Sequence, residues 1–120
     1  KLILQPMTKA EILRYWLVNN GFRITAEERV KENGTIYQII IAAFSNNSRL
    51  TDAELFTGEA SLRTDRYFLE ELTLFHSRFT KAAAGMKDSP KKEGLRRIYL
   101  SIISELEEMR KKHDKTPGNI

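Results

Sequence analysis

The run Thr35-Ile36-Tyr37-Gln38-Ile39-Ile40-Ile41-Ala42-Ala43-Phe44 constrains this chain more than any other feature. It is too continuously apolar to leave one face in water, so it reads as an interior strand. It follows Asn33-Gly34, the strongest two-residue hairpin signal, because a type I′ turn needs positive φ at both central residues. Upstream, Phe22, Ile24 and Ala26 alternate with polar residues, as a half-buried partner strand should. A β-hairpin is therefore expected across residues 22–44, and burying both faces of its second strand takes more elements than the hairpin itself supplies.

Those elements are partly present. Leu2-Ile3-Leu4 reads as a short apolar strand that Gln5-Pro6 stops, since proline has no amide to extend the ladder. Thr8-Lys9-Ala10-Glu11 has the spacing of a capping box and opens a helix over 8–20, which Asn20-Gly21 ends. Ile12 with Trp16 and Leu13 with Leu17 are i,i+4 pairs, an arrangement that puts Trp16 in the core. Ser45-Asn46-Asn47-Ser48 is a polar break, and Thr51-Asp52-Ala53-Glu54 repeats the capping box before a short helix ending by Gly58. From about Asp65 to Lys87, Phe68, Leu72, Phe75, Phe79 and Met86 recur at helical spacing. Ser89 is a natural N-cap with Pro90 at the first helical position, and Leu95, Ile98, Tyr99, Ile102, Leu106 and Met109 mark a second long helix at threes and fours. The two long helices are expected to form an antiparallel coiled-coil hairpin, and the tail Lys112 to Ile120 to fray.

At 120 residues the chain has room for one small domain or a piece of a larger one. No apolar run approaches the roughly 20 residues of a membrane span. The absence of cysteine removes disulfides and thiolate chemistry and fits a reducing compartment, with the cytoplasm as the expected location. Charge is uneven: nine Lys/Arg face ten Asp/Glu up to residue 75, and eleven face six beyond it. The basic excess includes Lys87, Lys91, Lys92, Arg96, Arg97, Arg110, Lys111, Lys112 and Lys115, which suits phosphate contact as well as a solvated helix face. The chain opens on an apolar strand without an initiator Met, which suggests a fragment whose missing part lies upstream.

Few residues point to chemistry. His76 and His113 sit on different helices without cysteine or acids at ligand spacing, so no metal site is expected. The six glycines are isolated, so no Gly-rich phosphate loop exists. Glu27 and Glu28 should point to opposite faces of their strand, which excludes a two-carboxylate acid/base site and suggests surface positions. Phe75 and Phe79 beside Arg78 have the composition of a base-stacking platform, though the same rings complete the helix seam. Gln5 and Pro6 end a buried strand on the edge where open α/β sheets bind ligands. Lys9, Arg14 and Arg23 are candidates for a small basic cluster near that edge.

Taken together, Leu2-Ile3-Leu4-Gln5-Pro6, Arg14-Tyr15-Trp16-Leu17, Asn20-Gly21-Phe22 and Asn33-Gly34-Thr35-Ile36-Tyr37-Gln38-Ile39-Ile40 resemble the bacterial tRNA (adenine-22-N1)-methyltransferase family. The likeness is good to about residue 44 and weaker to 62. Thr35, Gln38 and Thr57-Gly58-Glu59 depart from the family's usual residues. The resemblance implies the C-terminal half of a class I methyltransferase dependent on S-adenosylmethionine, in which adenine N1 attacks the sulfonium methyl group in line. The implied fold class is α/β: the C-terminal βαββ part of a Rossmann-like methyltransferase sheet followed by an α-helical coiled-coil hairpin. The divisions expected are 1–45 for the sheet, 46–65 for a connector, 66–113 for the helical hairpin and 114–120 for a flexible tail. Gln5 and Pro6 would border the substrate pocket, and Lys91, Lys92, Arg96 and Arg97 would contact tRNA. No cofactor-binding residue is expected in this chain, which alone should be inactive. The competing reading is a non-catalytic RNA- or protein-binding module on the same scaffold, and a homo-oligomer is expected through the sheet edge or the helices.

Overall fold

The computed structural model describes residues 1–46 and 48–114, in two compact units divided after Phe68. The first unit runs β1 (Leu2–Leu4), α1 (Ala10–Asn19), β2 (Phe22–Glu32), β3 (Thr35–Phe44), α2 (Asp52–Thr57) and a single 3₁₀ turn, Ala60–Leu62. The sheet order is β1-β3-β2, so the apolar run does become the central strand, antiparallel to both neighbours. β1 and β2 therefore run in the same direction, and such strands need a crossover, which α1 supplies. Asn33 and Gly34 turn the hairpin at φ 52° and 82°, values that glycine adopts without a Cβ penalty.

Leu17, Ile24, Ile40 and Ala42 form the core of this unit, with Leu2, Leu4 and Leu13 packed against them. Each large aliphatic side chain so buried contributes roughly 1.5–3 kcal/mol. α1 departs from its expected form in two ways. The Thr8 capping box does not form: Lys9 takes the cap position with φ 52°, no side chain caps the helix, and α1 begins at Ala10. The left-handed turn at Lys9 moves Thr8 out of register with the first free amides. Trp16, expected in the core, is 51% exposed, as Ile12 is at 59%, because the face turned inward carries Ala10, Arg14 and Leu17.

β2 holds the main surprise. Its pairing shifts between Ile24 and Ala26, which face Ala42 and Ile41, so Thr25 is an extra residue without its own partner. A bulge of this kind reverses the parity of every following side chain. Ile24 is buried before it, and Glu27 and Arg29 are buried after it.

After β3, the second capping box is present as expected. Thr51 accepts from the Glu54 amide while the Glu54 carboxylate accepts from the Thr51 amide, opening α2. Within the polar break, Asn47 lies outside the described residues.

The second unit contains α3 (Phe68–Gly85) from Leu69 onward, a 3₁₀ turn at Pro90–Lys92 and α4 (Glu93–Asp114). α3 starts at Phe68 rather than near Asp65, whose carboxylate accepts from the Tyr67 amide and binds Arg63 instead. Ser89 occupies the cap position before Pro90, but its side chain makes no cap bond. Phe79 meets Tyr99 edge-on at 5.0 Å and His76 Nε2 lies 3.3 Å from Glu107, a pairing that runs antiparallel. Ile102, Leu106 and Met109 are buried, whereas Leu95 and Ile98, expected in the same seam, are 44% and 46% exposed. The expected tail lies outside the described residues from 115 on, and α4 itself runs through Asp114.

Candidate functional site

The expected site residues fall in different places. Gln5 and Pro6 follow the last residue of β1, Gln5 exposed and Pro6 half-buried. Lys91 and Lys92 are exposed on the 3₁₀ turn, and Arg96 and Arg97 stand in the first turns of α4. The four cations thus gather at one helix start, around Glu93, which lies 3.3 Å from Arg97 and 4.0 Å from Arg96. Arg96 is half-buried, and its Nε is shut from solvent without a hydrogen-bond partner. Exposed pairs such as Arg97–Glu93 hold together by at most about 1 kcal/mol.

The basic cluster expected from Lys9, Arg14 and Arg23 does not form. Lys9 precedes α1 and Arg23 follows it, separated by a helix of roughly 15 Å. The Phe75, Phe79 and Arg78 platform is not formed either, since Phe79 is 7% exposed and turned onto Tyr99.

Arg14 is instead fully buried in a network that sequence reasoning missed. Its guanidinium grips Glu27 bidentately, Nε to Oε2 at 3.0 Å and Nη2 to Oε1 at 2.7 Å. Arg29 Nη1 donates to the same Glu27 oxygen at 2.9 Å, and Arg14 also donates to the Gln38 side chain. The side chains of Arg14, Glu27 and Arg29 are all 0% exposed. The two buried cations share this one carboxylate, and the end of α2 supplies further acceptors. Arg14 Nη1 donates to the carbonyls of Leu55 at 2.7 Å and Phe56 at 3.1 Å, and Arg29 Nη2 to that of Thr57 at 3.1 Å. Arg63 donates to the Thr57 carbonyl as well. Those carbonyls have no intrahelical partner and carry the negative end of the helix dipole.

Gly58 closes the network. Its φ is +81°, and a Cβ there would lie 2.5 Å from a Glu27 carboxylate oxygen. Arg63 in turn pairs bidentately with Asp65, at 2.8 and 3.0 Å. Burial opposes ionisation of Asp65, but the Arg63 hydrogen bond and charge, helped by Arg29, outweigh it and hold the carboxyl below its ordinary value near 3.8. The cluster has no nucleophile and no open face, so it positions the segment after α2 rather than doing chemistry. Its signal was available in outline: an arginine on the inward stripe of α1, and Glu27 and Arg29 two apart on one strand face.

Among the described residues the fold is of the mixed α/β class: a three-stranded antiparallel sheet and four helices. The chain belongs to the tRNA (adenine(22)-N(1))-methyltransferase family, TrmK, whose model matches residues 1–108. No curated protein matches it. Among solved structures it is similar to Sp1610 of Streptococcus pneumoniae, described as a putative tRNA (m1A22) methyltransferase, at 25% identity and a TM-score of 0.67 over 90% of this chain and 48% of that one. The same protein in complex with S-adenosyl-L-methionine matches at 24% identity and a TM-score of 0.63, over 90% of this chain and 46% of that one. A protein of the NADB-Rossmann superfamily from Streptococcus agalactiae matches at 28% identity and a TM-score of 0.67, over 90% of this chain and 46% of that one. The chain thus spans about half the length of its solved relatives. Among the described residues, no helix is long and apolar enough to cross a membrane.

Proposed function

We propose that this chain is the C-terminal half of an S-adenosylmethionine-dependent tRNA methyltransferase that acts on adenine N1. The observation that carries the reading is the family match over residues 1–108, which runs through the sheet and both long helices. On this reading β1 is the fifth strand of a seven-stranded Rossmann-like sheet and β2 and β3 are its sixth and seventh. Among the described residues β1 has β3 as its only neighbour in the sheet order, and its other edge is where further strands would add. Residues 1–45 then belong to the methyltransferase sheet, 46–65 to a connector, 66–113 to a coiled-coil hairpin and 114–120 to a tail.

The residues of this chain do not make a cradle for S-adenosylmethionine. Its glycines are isolated, with Gly34 in the hairpin and Gly58 against Glu27, so no step is assigned to the cofactor here. The contribution of this half is the end of β1, where Gln5 and Pro6 border the substrate pocket, and the cations Lys91, Lys92, Arg96 and Arg97, which hold tRNA backbone. The cytoplasm is the location this reading assigns. In isolation the free β1 edge favours self-association, which gel filtration tests: a strict monomer at high concentration would count against it.

The test of function is methyl incorporation from labelled S-adenosylmethionine into unmodified tRNA by the full-length parent, with this chain as the control. Activity in the parent alone supports the reading. Silence from both, with tRNA still bound by this chain, favours a non-catalytic module. Reversing Lys91, Lys92, Arg96 and Arg97 to Glu should weaken tRNA binding and flatten its salt dependence by about one logarithmic unit of slope per lost phosphate contact. Unchanged binding at moderate salt would remove the arm from the account.

A further inference from the structure

The chain contains two Asn-Gly pairs, Asn20-Gly21 at the end of α1 and Asn33-Gly34 at the tip of the β2–β3 hairpin. This dipeptide is the one most prone to cyclise, because glycine has no Cβ to hinder its amide nitrogen as it approaches the asparagine side chain. The structure sets the two copies in unlike surroundings. Asn33 and Gly34 are exposed, as are Glu32 and Thr35 on either side of them, and among the described residues the Asn33 carboxamide has no hydrogen-bond partner. A Cβ built on Gly34 would meet nothing within 4 Å.

Asn20 is tied down. Its Nδ2 donates to the Trp16 carbonyl at 2.8 Å, which turns the carboxamide back along α1 and away from the Gly21 amide. The Gly21 carbonyl accepts from the Ser45 amide at 2.8 Å, and Phe22 beyond it is stacked on Trp16 and Phe44 and packed on the core. In a left-handed residue such as Asn33, at φ 52°, the following nitrogen is turned away from Cβ, and so it is at Asn20, at φ −113° and ψ 23°. Attack on either side chain therefore needs a rotation of the main chain about ψ. At Asn33 the rotation swings Gly34 and loosens the terminal Glu32–Thr35 pair of the ladder, and the ends of elements open most readily. At Asn20 it breaks both the carboxamide bond and the Gly21–Ser45 bond and pulls Phe22 from its packing.

We propose that Asn33 is a site of spontaneous deamidation, reached through brief opening of the hairpin tip, and that Asn20 is shielded from the same reaction. Hydroxide removes the Gly34 amide proton and the nitrogen attacks Cγ of Asn33. The N–Cγ bond forms, the Cγ–Nδ2 bond breaks, and ammonia leaves with a proton taken from water, closing a five-membered succinimide. Water then opens the ring at either carbonyl, so ammonia is lost, water is gained, and nothing is oxidised or reduced. Cleavage of the new N–Cγ bond leaves an aspartate, and cleavage of the original main-chain bond leaves an isoaspartate. An aspartate followed by glycine suits the type I′ turn as asparagine does, so the first product only lowers the net charge. The second adds a methylene to the main chain of a two-residue loop, which then no longer closes the Glu32–Thr35 pair.

The experiment incubates this chain at mildly alkaline pH, folded and in concentrated urea, and follows both sites by peptide mass mapping. The protease Asp-N separates the products, since it cleaves at aspartate and not at isoaspartate. In the folded chain Asn33 should react at least roughly fivefold faster than Asn20, because each of the two hydrogen bonds to be opened at Asn20 slows the step by roughly two- to twelvefold. In urea the two rates should converge, because both pairs are then free. Asn33→Gln, whose longer side chain would have to close a six-membered ring, should abolish the fast reaction and leave the Asn20 rate as it was. Equal rates at the two sites in the folded chain, or a ratio that is the same folded and in urea, would overturn the proposal. Complete protection of both sites in the folded chain would also overturn it, since the tip would then not open.

Discussion

Replacing Glu27 by Gln tests the buried network with almost no change of volume. The carboxylate of Glu27 accepts three hydrogen bonds from Arg14 and Arg29, and all three side chains are 0% exposed. The amide would take from Arg14 and Arg29 the carboxylate charge that they share. Removing one partner of a buried ion pair costs about 3–5 kcal/mol, against a total of roughly 5–15 kcal/mol for a domain. With a urea dependence of about 2 kcal/mol per molar, the midpoint should fall by roughly 2 M. Trp16, the sole tryptophan, reads the first unit selectively in that assay. Glu28→Gln is the control, since Glu28 is exposed on the other face and should change stability by no more than about 0.5 kcal/mol. A shift below about 0.5 M for Glu27→Gln, with unchanged slope, would refute the argument. Changing Arg14, Glu27 and Arg29 together to Met, Leu and Met should recover only part of the loss. The charges would be gone, but the Leu55 and Phe56 carbonyls would lose the donors they have in Arg14, at about 1–3 kcal/mol each.

Gly58→Ala should destabilise the first unit by at least about 2 kcal/mol, since it adds a Cβ at positive φ 2.5 Å from a Glu27 oxygen; an unchanged melting temperature would contradict this. Leu17→Ala should cost roughly 2–5 kcal/mol and Ile12→Ala under about 1 kcal/mol, because Leu17 is 0% and Ile12 59% exposed; equal losses would mean that the inward face of α1 is wrongly assigned. Asp65 supplies a pH dependence whose sign is fixed. Its carboxyl is held below the ordinary value near 3.8 in the folded state, so its stabilisation is fully present above that value and is lost as pH falls through the lower folded pKa. The stability gap between the natural chain and Asp65→Asn, measured by urea denaturation, should therefore be constant above about pH 5 and close below pH 4; a gap that widens on acidification would refute it.

Short-range chemistry made the hairpin turn and the second capping box legible, though not the unformed caps at Thr8 and Ser89, and what a single irregularity sets was not legible. Asn33-Gly34 announced its turn because few other dipeptides tolerate two positive φ angles, and Thr51-Asp52-Ala53-Glu54 announced its helix because both capping bonds are local. The sheet order needed only the apolar continuity of residues 35–44 to put that strand in the middle. Alternation, by contrast, carries no warning of an inserted residue. Reading on from Phe22, Ile24 and Ala26 keeps even positions inward and puts Glu27 in water. The bulge at Thr25 inverts that parity, and Glu27 and Arg29 turn onto the face where Ile24 and Ile40 lie. The inversion has a partner elsewhere in the chain. Arg14 occupies the inward stripe of α1 between Ala10 and Leu17, a position that would be untenable for a cation if the facing strand offered only aliphatic side chains. The bulge in β2, the arginine in α1 and the glycine after α2 are therefore one device seen at three places in the sequence. Each looks like a local defect until the other two are set beside it, and the device ties the end of α2 to the sheet.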